Sequence, residues 1–165
     1  MMEERLSTSR RAVFMEGVHD GVPIALGYFV VAFTLGILAK TAGLTPWQGF
    51  VTSAVNIASA GEYAGFTVIA AQAPYVEIAL LTLVANARYF LMSAALSQRF
   101  SPETPLLHRL AVSFGVTDEV FGITVARGGT VNPYYNYGAL AISVPAWSAG
   151  TSAGILAGGI LPSAV

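Results

Sequence analysis

Residues 21–39 read GVPIALGYFVVAFTLGILA, nineteen positions without a charged side chain. Wound as an α-helix at about 1.5 Å per residue, such a run roughly matches a hydrocarbon core about 30 Å thick. From Gly128 to Val165 the chain again carries no charge, over 38 residues, and the part from about Tyr137 to Leu161 is long enough for a second span. Between these, Thr41 to Gly61 and Pro74 to Ser97 are mostly apolar with isolated polar groups. A signal peptide does not account for the first run, which is longer than a usual signal core and is followed by further apolar segments.

Composition agrees. Of 165 residues, 55% are hydrophobic and 10% charged, and the mean hydropathy is +0.64. Soluble domains carry about 25% charge, so too few charges are present to cover a water-facing surface. A net charge of −1 and a pI near 6.1 argue against a nucleic-acid binder. The chain has no cysteine, which excludes a disulfide scaffold, a cysteine zinc site and a thiol nucleophile. The expected fold is an all-α integral membrane protein with four to five hydrophobic helical segments. Residues 1–13, with Arg5, Arg10 and Arg11, form a basic arm ahead of a single polytopic membrane domain, 14–165.

The first span is expected over 18–40. Thr45 is placed to cap a second segment, with Pro46 at its first helical position, and that segment runs to about Ala71. Its middle, Ser53 to Gly61, reads SAVNIASAG. Small and polar residues of this kind let helices approach closely or unwind. The segment is therefore expected to be broken or re-entrant, as in transporters that build sites from discontinuous helices; a packing face between continuous helices is the alternative. The third segment is expected over Pro74 to Ser97, a shorter fourth over Leu106 to Ala126, and a last span interrupted by Pro145. The basic arm predicts a cytoplasmic N-terminus. A re-entrant second segment would also keep Arg99 and Arg109 on the cytoplasmic side.

Ionisable groups at membrane depth are expensive and usually functional. Glu62 lies in the second segment, Arg88 midway along the third with Asn86 two residues earlier, and Asp118–Glu119 in the fourth. Arg88 needs a partner, and Glu62 and Asp118 are available. Either a structural ion pair fixes helix register, or a polar pocket receives a charged substrate group or a coupling proton. Glu77 is expected at the interface, and His19–Asp20 at the membrane entry. Trp47, Tyr75, Tyr134, Tyr135, Tyr137 and Trp147 suit an interfacial aromatic belt. Gly150 and Gly154 form a small-xxx-small face for close packing, within the protein or against another subunit. No phosphate loop, HExxH or Ser/His/Asp set is present, so no enzymatic chemistry, cofactor or metal is expected.

Several stretches resemble the AzlC family of branched-chain amino acid exporters. In FMEGVHDGVPIALGYFVVAFTLGILAKTAG the similarity rests on Phe14, Gly17, Pro23, Gly27, Tyr28, Phe33, Gly36, Ala39 and Gly43. Ser53 and ASAGEYAGF resemble the family's small-residue stretch, with Glu62-Tyr63 where many members have Gln-Phe. Asn86-Ala87-Arg88 is similar to its Asn-x-Arg, and Thr117-Asp118-Glu119 to its following acidic segment.

The resemblance implies export of leucine, isoleucine and valine across the plasma membrane, with a separately encoded AzlD-type small membrane subunit as partner. It also implies a further apolar segment or two beyond Leu161-Pro162, so a shortened member or a fragment is expected. On this reading Asn56, Glu62, Asn86 and Arg88 bind a zwitterionic amino acid. Arg88 meets the carboxylate, Asn86 and Glu62 the ammonium, and Ile57, Phe66 and Leu83 the branched side chain. Asp118, with Glu62 second, carries a coupling proton. The rival reading is a non-transporting membrane assembly subunit.

Overall fold

The computed structural model describes the backbone over residues 2–160 and side chains over 10–160; Arg5 of the basic arm and Leu161-Pro162 lie outside the side chains so described. Eight helices follow one another among the described residues: α1 (Met2–Thr41), α2 (Pro46–Val55), α3 (Ser59–Ala70), α4 (Tyr75–Ala85), α5 (Arg88–Ser97), α6 (Leu106–Phe114), α7 (Asp118–Ala126) and α8 (Pro133–Gly158). Two are long and apolar enough to cross a membrane, Arg10–Thr41 and Pro133–Gly158. The arm is helical and continuous with the first span.

The three middle segments are each divided into two half-helices of 9 to 12 residues. At about 1.5 Å per residue each half reaches roughly half of a 30 Å core. The break expected in the second segment falls at Asn56-Ile57-Ala58, where Asn56 (φ −118°, ψ 84°) and Ala58 (φ −149°, ψ 106°) leave the helical region. Thr45 caps α2 as its sequence predicts: its hydroxyl accepts from the Gln48 amide, the Gln48 side chain accepts from the Thr45 amide, and Pro46 stands at the start.

Two further breaks were not expected. The third segment is interrupted at Asn86-Ala87, between α4 and α5, so Arg88, midway along the segment, is the residue that opens a helix. The fourth is interrupted at Gly115-Val116-Thr117, and Thr117 caps α7 through its hydroxyl to the Val120 amide at 3.2 Å. The opposite correction applies to α8, which passes through Pro145 without interruption. Proline deletes one i→i−4 hydrogen bond, and such losses are tolerated where a membrane helix is otherwise supported by packed neighbours.

The chain divides into two compact units, residues 2–24 with Tyr89–Ser143 and Ala25–Arg88 with 144–160. In the first, α1 meets α8 without intervening side chains. A Cβ on Gly17 would strike the carbonyl of Tyr135, and one on Gly138 the carbonyl of Phe14. A core of Leu96, Phe100, Val112, Val116 and Val131 gathers α5 and α6 with the turn before α8, where Phe100 and Val131 form an isolated β-bridge. Arg99 ties that turn down by donating to the carbonyls of Gly129 and Val125.

In the second unit α1 buries Ala25, Tyr28, Ala32, Leu35 and Ala39, a stripe at helical spacing. Gly36, Gly150 and Gly154 bring the backbones of α1 and α8 together: Gly150 stands over Phe29 and Ala32, Gly154 over Phe33 and Gly36. The small-residue face of the last span is thus occupied by the chain's own first helix. Lipid is as apolar as leucine, so this close packing supplies the dispersion contacts that hydrophobic burial cannot. The other face of α1, with Leu26 and Val30 about two-thirds exposed, suits acyl chains.

Glycines of α1 therefore differ in tolerance. Gly36→Leu forces backbone carbonyls apart and is expected to cost about 3 kcal/mol or more, lowering the melting temperature of the detergent-solubilised protein. Gly27→Leu, with nothing within 4 Å of its Cβ position, leaves that temperature unchanged.

Candidate functional site

The polar centre of the second unit is built around the first turn of α3. Glu62 is 1% exposed there, four residues past the end of the break. Trp147 Nε1–H donates to its Oε1 at 2.6 Å, and Ser53 Oγ bonds its Oε2 at 2.9 Å. Ser53 Oγ also bonds Thr151 Oγ1 at 2.7 Å, and Thr151 Oγ1 reaches the Trp147 carbonyl at 3.5 Å. The indole is fixed from behind by the ring of Tyr28, edge-on at 5.2 Å.

Ser53, Trp147 and Thr151 are all buried. The carboxyl of Glu62 therefore bridges the last turn of α2, the first turn of α3 and the middle of α8. Its partners among the described residues are neutral donors, so the structural ion pair with Arg88 is not what holds it.

Gly61 lies one residue earlier, about 100° round the helix, and faces a second set. A Cβ there would meet Asn86 Nδ2 at 2.7 Å, Asn86 Oδ1 at 3.1 Å and Asn56 Nδ2 at 3.3 Å. Two asparagines, each closing a half-helix, so converge on a glycine that alone leaves them room. Asn86 Oδ1 is buried and accepts no hydrogen bond. Beside it α3 begins at Ala58 with no side-chain cap. The first amides of a helix lack intrahelical partners and carry its partial positive charge. The site thus offers an open carbonyl acceptor and uncapped amide donors at a helix break.

Of the residues singled out in the sequence, the fold gathers Asn56, Glu62 and Asn86 in this one place. Arg88 follows two residues after Asn86, exposed at the first position of α5. Asp118 belongs to the other unit, exposed at the start of α7 beside Glu119, where a helix N-terminus favours a negative charge. Phe66 is buried, whereas Leu83 is 55% exposed and faces outward. Trp147 and Tyr135 are not belt residues: both are buried, one bonded to Glu62 and the other donating to Asp20 Oδ2 at 2.8 Å. Trp47 and Tyr75 are exposed at the first turns of α2 and α4, as a belt requires.

Sequence reasoning missed the role of Trp147 and Thr151, and also Asn136 in the first unit. Asn136 is fully buried; its Nδ2 donates to Thr124 Oγ1 at 2.7 Å while its Oδ1 accepts no bond. The available signal was a lone asparagine in an otherwise chargeless span. A cavity of about 440 Å³ at the turn between α3 and α4, lined by Ile69, Gln72, Pro74, Tyr75 and Ile78, contains none of these groups.

Trp147→Phe leaves Glu62 Oε1 without its donor and Ser53→Ala does the same for Oε2. Each is expected to destabilise the protein by about 1–3 kcal/mol, read as a fall in melting temperature in detergent. Unchanged melting in both would show that the cluster does not form.

Comparison with known proteins places this architecture. The family described as AzlC protein matches residues 23–161. An uncharacterized membrane protein of Archaeoglobus fulgidus is 30% identical over 155 residues, covering 94% of this chain and 67% of its own length. The inner membrane protein YgaZ of Escherichia coli K12 is 30% identical over 116 residues, covering 70% of this chain and 47% of its own. The chain thus spans about two-thirds and about half of these relatives. No solved structure matches it. With the family match running from Pro23 within the first apolar span across every helix break and the whole of the second span, the chain is a membrane protein and belongs to the AzlC family.

Proposed function

We propose that this chain forms the substrate-binding part of a secondary transporter that exports branched-chain amino acids from the cytoplasm. The reading extends to the plasma membrane as location, a cytoplasmic N-terminus, an AzlD-type small membrane subunit as partner and coupling to protons. The observation that carries it is the convergence of Asn56 and Asn86 on Gly61 at the uncapped start of α3.

A zwitterion needs an acceptor for its ammonium and donors for its carboxylate. Asn86 Oδ1 is the acceptor, and the first amides of α3 are the donors, with Arg88 as a further carboxylate partner. Half-helix ends serve amino acids in this way in other transporters. Ile57, within the break, supplies apolar contact for a branched side chain. A neutral, apolar substrate also suits a site without a net charge to spare. Either Glu62 or Asp118 is available for the coupling proton.

The rival reading, a membrane assembly subunit, drew support from the Gly150–Gly154 face. That face is filled by α1 of the same chain, so this one feature does not call for a second subunit.

Cells producing the chain with its partner, preloaded with an isoleucine-containing dipeptide, are expected to clear free isoleucine faster than cells without it. Asn86→Ala loses this clearance by about tenfold or more, the equivalent of one hydrogen bond to a charged group. Unchanged clearance with the protein in the membrane, or wild-type rates from Asn86→Ala, would overturn the reading.

A further inference from the structure

Glu62, Ser53 and Thr151 share a property that neither substrate binding nor packing requires. Their hydrogen bonds can be completed in two ways without moving a heavy atom. With the carboxylate ionised, Trp147 Nε1–H donates to Oε1, the Ser53 hydroxyl donates to Oε2, and the Thr151 hydroxyl donates to Ser53 Oγ. With a proton on Oε2, that O–H donates to Ser53 Oγ, the Ser53 hydroxyl turns to Thr151 Oγ1, and the Thr151 hydroxyl turns to the Trp147 carbonyl. A hydroxyl is both donor and acceptor and its hydrogen rotates freely, so each state leaves every group in the chain satisfied.

A buried carboxyl is ordinarily committed to one state. One held by an arginine must stay ionised, since the guanidinium has no acceptor, and one facing only carbonyls must stay protonated. Glu62 is held by two neutral donors, one of which can reverse. From α2 it is faced by Ser53, and from α8 by Trp147 and Thr151. Behind the indole stands the phenol of Tyr28 from α1, the titratable group of this set. No charged side chain among the described residues bonds the carboxyl.

We propose that Glu62 is the proton-carrying group of this chain and that its protonation sets how firmly α3 is stitched to α2 and α8. The proposal rests on the transport reading and assigns its proton to Glu62, inside this hydrogen-bonded set, in preference to Asp118, which is exposed at the start of α7 in the other unit. One proton is bound on Oε2 and released from the same oxygen; no bond other than O–H forms or breaks.

In the ionised state the Ser53–Glu62 bond is a charge-assisted bond across the break at Asn56–Ala58, and the Trp147 bond is likewise charge-assisted. In the protonated state both become bonds between neutral groups, which are roughly half as strong. Gly61, the glycine beneath Asn56 and Asn86, is the immediate neighbour of Glu62 on the same turn. Loosening that turn alters the notch in which the substrate binds, so proton and amino acid meet through one turn of helix. Ser53 and Thr151 are positioning residues for the proton, and Trp147 reports on it.

The chain contains two tryptophans, Trp47 and Trp147, and Trp47 is exposed away from the cluster. In a Trp47→Phe background, Trp147 emission from the full-length protein in lipid nanodiscs is expected to change in a single step with pH. The step is abolished by Glu62→Gln, a side chain of the same shape. A second measurement uses liposomes loaded with labelled isoleucine and holding the chain with its partner. The unsubstituted chain accelerates efflux under an imposed pH gradient. Glu62→Gln loses that acceleration, whatever its rate of exchange of labelled for unlabelled isoleucine.

Absence of the emission step, its persistence in Glu62→Gln, or pH-driven efflux undiminished in that variant would each overturn the proposal. An unsubstituted chain that moves no amino acid in either mode overturns the transport reading instead, and the emission step then decides the proton site by itself.

Discussion

Inside a bilayer every backbone N–H and C=O must find a partner within the protein, and the rest of this structure follows from how the chain meets that requirement at its breaks. Three apolar segments are interrupted near their middles, and each interruption exposes helix ends that a continuous helix would hide. At Asn56–Ala58 side chains tie the two half-helices together, while the first amides of α3 stay uncapped. Ser53 from one half-helix and Glu62 from the other bond each other, and Trp147 and Thr151 of α8 complete the set. Removing the carboxyl would leave the buried indole N–H without its acceptor and the two half-helices without the bond that joins them. A glutamate at this depth is thus a structural bridge as well as a chemical group.

The long helices make the bridge possible by their proximity. In the second unit, glycines at 36, 150 and 154 let the backbones of α1 and α8 touch, which fixes the rotation of α8 and with it the direction of Trp147. The edge-on ring of Tyr28 restrains the indole further. Packing of this kind is specific because it is steric: a methyl group on the wrong side of either helix collides with a carbonyl rather than sliding into lipid.

In the first unit the same economy of charge appears with different chemistry. Arg127 pairs with Glu16 through Nε and Nη2 at 3.1 and 2.6 Å and lies over the ring of Tyr135, while Tyr135 donates to Asp20. Arg99 donates to the carbonyls of Val125 at the end of α7 and Gly129 in the turn before α8, and Arg109 to those of Ser101, Pro102 and Thr104 in the link before α6. Two basic groups that the sequence offered as topology markers are therefore also the pins of the connections between helices.

Much of the architecture was legible from neighbouring residues alone. An apolar run of nineteen positions, the Thr45-Pro46-Gln48 start of α2 and the small polar stretch at 53–61 each act within a turn or two of helix, where local geometry governs. The breaks at Asn86-Ala87 and Gly115–Thr117 carried no comparable run of small residues, and intrinsic helix propensity is too weak a preference to reveal them. Pro145 erred the other way, since packed neighbours hold α8 together across the lost hydrogen bond. Asn56, Glu62 and Asn86 could be named because polar groups are costly in lipid, whatever they touch. What they touch was decided by the tertiary structure: Trp147 lies 85 residues from Glu62 and Thr151 lies 98 from Ser53, and no periodicity within a segment records which helix will be brought close enough to supply a buried carboxyl with its donors.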